Sequence, residues 1–155
     1  MPIRSSEKRA PRLEGWDARL IGAIEAARSR PWQWGRHDCA SFCFYAGRAM
    51  LAGPTAWDAL GGRHATAWGA AAIIRRAGSL AALADMGAAR IPVRSAMRGD
   101  LAAIHVDDAG APDPAGSQIA LGIVDGACVM CAARVGLRAV PLREAFACWP
   151  VDPMR

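Results

Sequence analysis

Apolar residues recur at spacings of three and four along the first half of the chain and alternate along the second, which predicts helices first and strands afterwards. From Leu13 to Arg28 the set Leu13, Trp16, Leu20, Ile24 and Ala27 describes an amphipathic helix of about four turns, closed by Pro31. A second helix runs from Cys39 to about Leu51, with Phe42, Cys43, Ala46 and Met50 on one face, Asp38 as its N-cap and Gly53-Pro54 as its stop. Residues 55–62, around Trp57, read as a surface connection. Thr66 then caps a helix to Ala77, ended by Gly78, and Ser79 caps a short one to Met86.

The character changes at Ile91-Pro92. Arg98-Gly99-Asp100 is a turn, Leu101 to Val106 a strand, and Asp107 to Ser117 a polar loop. Ile119 to Val124 is a second strand, joined through the two-residue turn Asp125-Gly126 to a third from Ala127 to Ala132. Gly136 breaks it, Leu137 to Val140 forms a fourth, and Pro141 is expected to open a terminal helical turn through Ala147, with Trp149 to Val151 as an added edge strand. The fold class is therefore α+β, with N-terminal helices packed on a small antiparallel β-meander.

At 155 residues and 16.3 kDa the chain holds one domain, residues 13–155, behind a polar, basic arm. That arm, residues 1–12 with Pro2 and Pro11, is expected to order only against a partner. Composition adds exclusions more than assignments. No apolar run reaches the roughly 20 residues of a membrane span, and the first residues lack the apolar core of a secretory signal. The formal charge of +5 rests on arginine, Lys8 being the only lysine. No arginine cluster alternates with aromatics, so no specific nucleic-acid partner is expected. Five cysteines at irregular spacing do not suggest a disulfide framework.

Cys39 carries the first candidate chemistry. It lies in the first turn of a helix, where unpaired N–H groups and the positive end of the macrodipole favour the nucleophilic thiolate. The other reading is a small buried hydrophobe opening an apolar face. Cys128-Val129-Met130-Cys131 has a C-x-x-C spacing that, with Cys39 and Cys43, offers four thiolates for a metal. Residues three apart on a strand face opposite ways, however, so buried hydrophobes are the default and no metal or cofactor is assigned. Trp32, Trp34, Trp57, Trp68 and Trp149 read as anchors of the core or of contacts with partners.

Trp34-Gly35 followed by Asp38-Cys39 opening a helix, Gly99-Asp100-Leu101 starting the first strand, and Leu121-Gly122-Ile123 followed by Asp125-Gly126 come in a particular order. With Gly136-Leu137 and Val140-Pro141-Leu142 downstream, residues 30 to 150 resemble the NlpC-type cell-wall peptidases, papain-like cysteine enzymes that cut peptide crosslinks in peptidoglycan. The resemblance is nearest to a branch encoded beside the tail genes of long-tailed phages and gene-transfer agents. It implies a papain-like fold with Cys39 as the nucleophile and a histidine at the start of the second strand as its base. Here the sequence departs: the family's His-Val-Gly-Ile pattern falls on Ala120-Leu121-Gly122-Ile123, and the next strand offers Cys128 and Met130 where an orienting polar residue is wanted.

Three histidines are left to stand in. His37, in the loop before Cys39, is expected to face solvent or pack on Trp34, and His64 lies in a glycine-rich connection without a motif. His105, ending the first strand, comes opposite Ile119 and Ala120 in a hairpin and is the candidate base, subject to strand register. The resemblance thus implies a tail-tip or tail-assembly protein, a virion component made in the bacterial cytoplasm and docked onto hub and distal tail proteins by its arm and tryptophans. In this reading it is impaired or inactive as a peptidase. The alternative is an active peptidoglycan endopeptidase using Cys39 with His105 or another base.

Overall fold

The computed structural model describes residues 11–52, 57–61, 64–106 and 119–152. The expected arm up to residue 10, the stop at Gly53-Pro54 and the polar loop 107–117 lie outside them. Four helices come first: α1 (Trp16–Ala27), α2 (Cys39–Met50), α3 (Ala67–Ala77) and α4 (Leu80–Asp85). Five strands follow: β1 (Leu101–His105), β2 (Ile119–Asp125), β3 (Cys128–Ala132), β4 (Leu137–Pro141) and β5 (Ala145–Trp149). The α+β class holds, helices before an antiparallel sheet.

The caps that begin the helices are those the sequence implies. Asp38 accepts from Ser41 N, Thr66 from Gly69 N and Ser79 from Ala82 N, each satisfying an N–H that the first turn leaves without a helical partner. α1 starts later than Leu13: the Leu13 N–H donates to the Met50 carbonyl at 2.8 Å, which holds this part of the chain against the end of α2. Gly15, at φ 69°, then turns it into the helix. Leu20, Ile24 and Ala27 of α1 pack with Cys43, Ala46 and Met50 of α2 in one core, all nearly or wholly excluded from solvent. α2 in turn packs on β2, so it is the central helix.

The sheet runs β4-β3-β2-β1-β5, every neighbour antiparallel. Its helix-facing side presents Leu101, Ala103, Leu121, Ile123, Met130, Ala132, Ala147 and Trp149 to the main core. The other side carries a second cluster with Ala102, Ile104, Ala120, Val124, Val129, Cys131 and Cys148, covered by Ile91, Val93, Ala96 and Leu142. β5 corrects the expected helical turn through Ala147: only Leu142–Glu144 is helical, as a single 3₁₀ turn, and residues 145–149 form the edge strand. The reason lies in β1. Leu101 through Ile104 are buried on both faces, so β1 backbone groups need partners along both edges, and β5 supplies the second set.

Arg12 closes the two ends of the domain. Its Nε donates to Asp152 Oδ2 at 2.6 Å, its Nη1 to the Arg98 carbonyl at 2.9 Å, and its guanidinium lies 4.1 Å over the Trp16 ring. Beneath it Asp100, fully buried, accepts from Met97 N and Val151 N. Although the sequence places Arg12 in the arm, it is built into the fold.

Candidate functional site

Pro31 to Asp38 forms a tight loop that delivers the start of α2. Gln33 and His37 exchange backbone hydrogen bonds of 3.0 and 2.7 Å, and Gly35 turns the chain between them at φ 81°. Trp32 and Trp34 meet edge to face with centroids 5.1 Å apart. Outside the loop, Pro31 bridges to Val135 and Trp32 N donates to the Arg134 carbonyl, tying it to the end of β3.

Asp38 is the hub. Its Oδ1 accepts from Ser41 N at 2.8 Å, while Oδ2 accepts from Gly35 N at 2.7 Å, Ser41 Oγ at 3.0 Å and His64 Nε2 at 2.6 Å. The carboxylate and the imidazole are both nearly excluded from solvent, at 3% and 6% side-chain exposure. Burial on its own would raise the Asp38 pKa, but the His64 ring and the Ser41 and Gly35 N–H groups together hold it below its ordinary 3.8. A depressed carboxylate pKa stabilises the folded state above the unfolded value and is lost as pH falls through the folded one. Urea denaturation between pH 6 and 2 is therefore expected to show stability falling below about pH 4, with a shallower fall in Asp38→Asn.

Cys39 is the first residue of α2, half-buried, and packs against both core clusters. Its neighbours include two further thiols. Burial raises the Cys43 pKa well above its usual range, with the adjoining Cys39 and Cys131 sulfurs adding to it. Burial, together with Cys39, pushes Cys131 up to about 12. Both are thiols at neutral pH and neither can take a proton from Cys39. Ala120, at 4% exposure, lies in the second cluster that Cys39 touches.

Two of the three histidines are placed in ways the sequence did not foretell. His37 does not face solvent: it is 2% exposed, and its Nε2–H donates to the Gly136 carbonyl at 2.8 Å. His64, which lacks a motif, comes back 26 residues along the chain to Asp38. Gly35 makes room for it, since a Cβ there would lie 2.2 Å from the His64 carbonyl oxygen. That close approach was the one local hint, and it is visible only once the loops meet. His105 pairs across from Ile119 as expected, and its exposed ring stacks on Phe146 of β5 with centroids 4.4 Å apart.

Cys128 and Cys131 fall on opposite faces of β3: Cys131 joins the second cluster, and its strand neighbours Met130 and Ala132 join the helix-side core. Among the described residues no group of three or more His, Cys, Asp or Glu side chains is arranged to hold a metal ion. Trp57 and Trp149 are wholly buried, whereas Trp68 on α3 is 80% exposed.

Residues 11–151 match a family described as a domain of unknown function, DUF6950, and the match spans every helix and strand above. The chain belongs to this family. No curated protein and no solved structure was found to match it. Within this DUF6950 domain no helix among the described residues is long and apolar enough to cross a membrane. The N-cap carboxylate with its bound imidazole, and Cys39 next to it in the chain, lie at the start of α2, and this is the site on which a functional reading rests.

Proposed function

We propose that the chain is a papain-like domain of the NlpC type that serves as a tail-tip or tail-assembly component of a phage or gene-transfer agent without cleaving peptidoglycan. The observation that carries the reading is Ala120, a buried methyl group in the cluster against which Cys39 packs. At the position where the resemblance calls for a base, a methyl group accepts no proton, and general acid–base assistance of about 10² to 10⁴ in rate goes with it. Asp38 is no substitute, since its low pKa and four donors make it a poor acceptor. In this reading the domain docks onto hub and distal tail proteins. Trp68 supplies an exposed aromatic contact, while Trp57 and Trp149 are committed to the core.

One observation favours the rival, an active endopeptidase with Cys39 as nucleophile. His64 is bound by a carboxylate one residue from Cys39, and a carboxylate-oriented imidazole is the usual partner of a catalytic thiol or hydroxyl. His105 is the other base available to that reading.

A muropeptide digest of purified cell walls with the native chain, Cys39→Ala, His64→Ala and His105→Ala separates the two. We expect no product above the buffer blank from any of the four. Digestion by the native chain that disappears in Cys39→Ala would overturn the structural role, and the histidine variant that disappears with it names the base. Mass spectrometry of purified particles tests the location, and absence of the chain from tail fractions would remove the tail assignment.

A further inference from the structure

Between α1 and α2, on the side of the loop that carries His37, lies a cleft of about 580 Å³. Its floor is made of small and aromatic side chains, Ala23, Ala27, Ala46 and Phe42, and its rim of Arg30, Arg36, Gln33 and Tyr45. Among the described residues no acidic side chain lines it. Five of the described arginines pair with carboxylates: Arg12 with Asp152, Arg28 with Glu25, Arg48 with Asp58, Arg90 with Asp85 and Arg98 with Asp125. Arg30 and Arg36 are exposed and engage no carboxylate among the described residues. Two guanidiniums with no carboxylate partner among the described residues thus border an apolar floor in a chain of formal charge +5.

We propose that this cleft binds an acidic peptide segment of a partner protein. A carboxylate would sit on Arg30 and Arg36, which present planar forks matched to it, and an adjoining aliphatic side chain would cover the alanine floor. The volume lies within the roughly 300–1,000 Å³ of specific ligand sites, room for a few residues of chain. Tyr45, 44% exposed, adds a ring and a hydroxyl, and Gln33 an amide able to bond peptide groups. A bare phosphate would leave the floor uncovered. A nucleic acid would want a longer stripe of cations than two arginines provide. The inference does not depend on the tail assignment, since it rests on the cleft alone.

The test is an amide-detected NMR titration of the full chain with three probes. They are a pool of capped hexapeptides bearing two Glu or Asp residues among Leu, Val and Ala, the same pool with Gln and Asn in place of the acids, and inorganic phosphate. The acidic pool is expected to shift Ala23, Ala26, Gln33 and Tyr45 amides, more strongly at low salt. Binding should weaken about tenfold or more in the Arg30→Gln/Arg36→Gln double variant and in Ala23→Glu, but not in Arg143→Gln, whose arginine is exposed on the 3₁₀ turn after β4. Both changed arginines are exposed, so an unaltered melting temperature should verify that the double variant is folded. Equal binding of the neutral pool, shifts outside the cleft, indifference to the arginine changes, or saturation of the same amides by phosphate alone would each overturn the proposal.

Discussion

Replacing Asp38 with alanine is expected to lower the stability of the domain by about 3 to 5 kcal/mol, as several buried donors lose their acceptor at once. At this chain length that corresponds to a melting temperature roughly 6 to 20 °C lower. The magnitude follows from what the change leaves behind: the N–H groups of Gly35 and Ser41, the Ser41 hydroxyl and the His64 ring all lose their acceptor in a region closed to water. A double-mutant cycle with His64→Ala isolates the imidazole's share. If the two losses simply add, the His64–Asp38 contact contributes nothing of its own and the site is held together by the N-cap alone. A loss below about 1 kcal/mol for Asp38→Ala would mean that water reaches these donors.

Gly35→Ala is expected to cost about 2 to 5 kcal/mol, combining a left-handed backbone that side chains adopt reluctantly with overpacking against a neighbouring main chain. The new Cβ would stand 2.2 Å from the His64 carbonyl oxygen, and backbone cannot swing aside as the end of a side chain can. Relief requires the 31–38 loop and the His64 segment to separate, which draws the imidazole away from Asp38. Thermal unfolding measures the cost, and crystallography or NMR of the variant reads the separation. Gly22→Ala makes a matched control, because its Cβ meets nothing within 4 Å and alanine suits a helix better than glycine. A Gly35→Ala domain as stable as that control would show that the loop and the His64 segment are not in the close contact described.

What the sequence reveals here is the chemistry that acts over three or four residues. Asp38, Thr66 and Ser79 announce their helices because a cap satisfies donors within its own first turn. Asp125-Gly126 announces its hairpin because the turn needs a left-handed glycine, found at φ 65°. The alternation along β3 likewise separates Cys128 from Cys131 by spacing alone. β5 was hidden because Ala145 to Trp149 has no preference strong enough to outweigh Pro141, a residue that begins helices as readily as it begins turns. Only the unsatisfied edge of β1 makes that segment a strand. His64 was hidden for a related reason: its partner is 26 residues away, and nothing in its glycine-rich surroundings repeats with a period. His37 misled because a polar loop residue ordinarily points outward, whereas the reciprocal bonds between Gln33 and His37 fold this one in toward Gly136.

The ion contact between Arg12 and Asp152 brings the beginning and the finish of the folded unit within one side chain's reach. Splicing residues 11–152 into a surface loop of an unrelated carrier protein is therefore expected to leave the sheet unstretched.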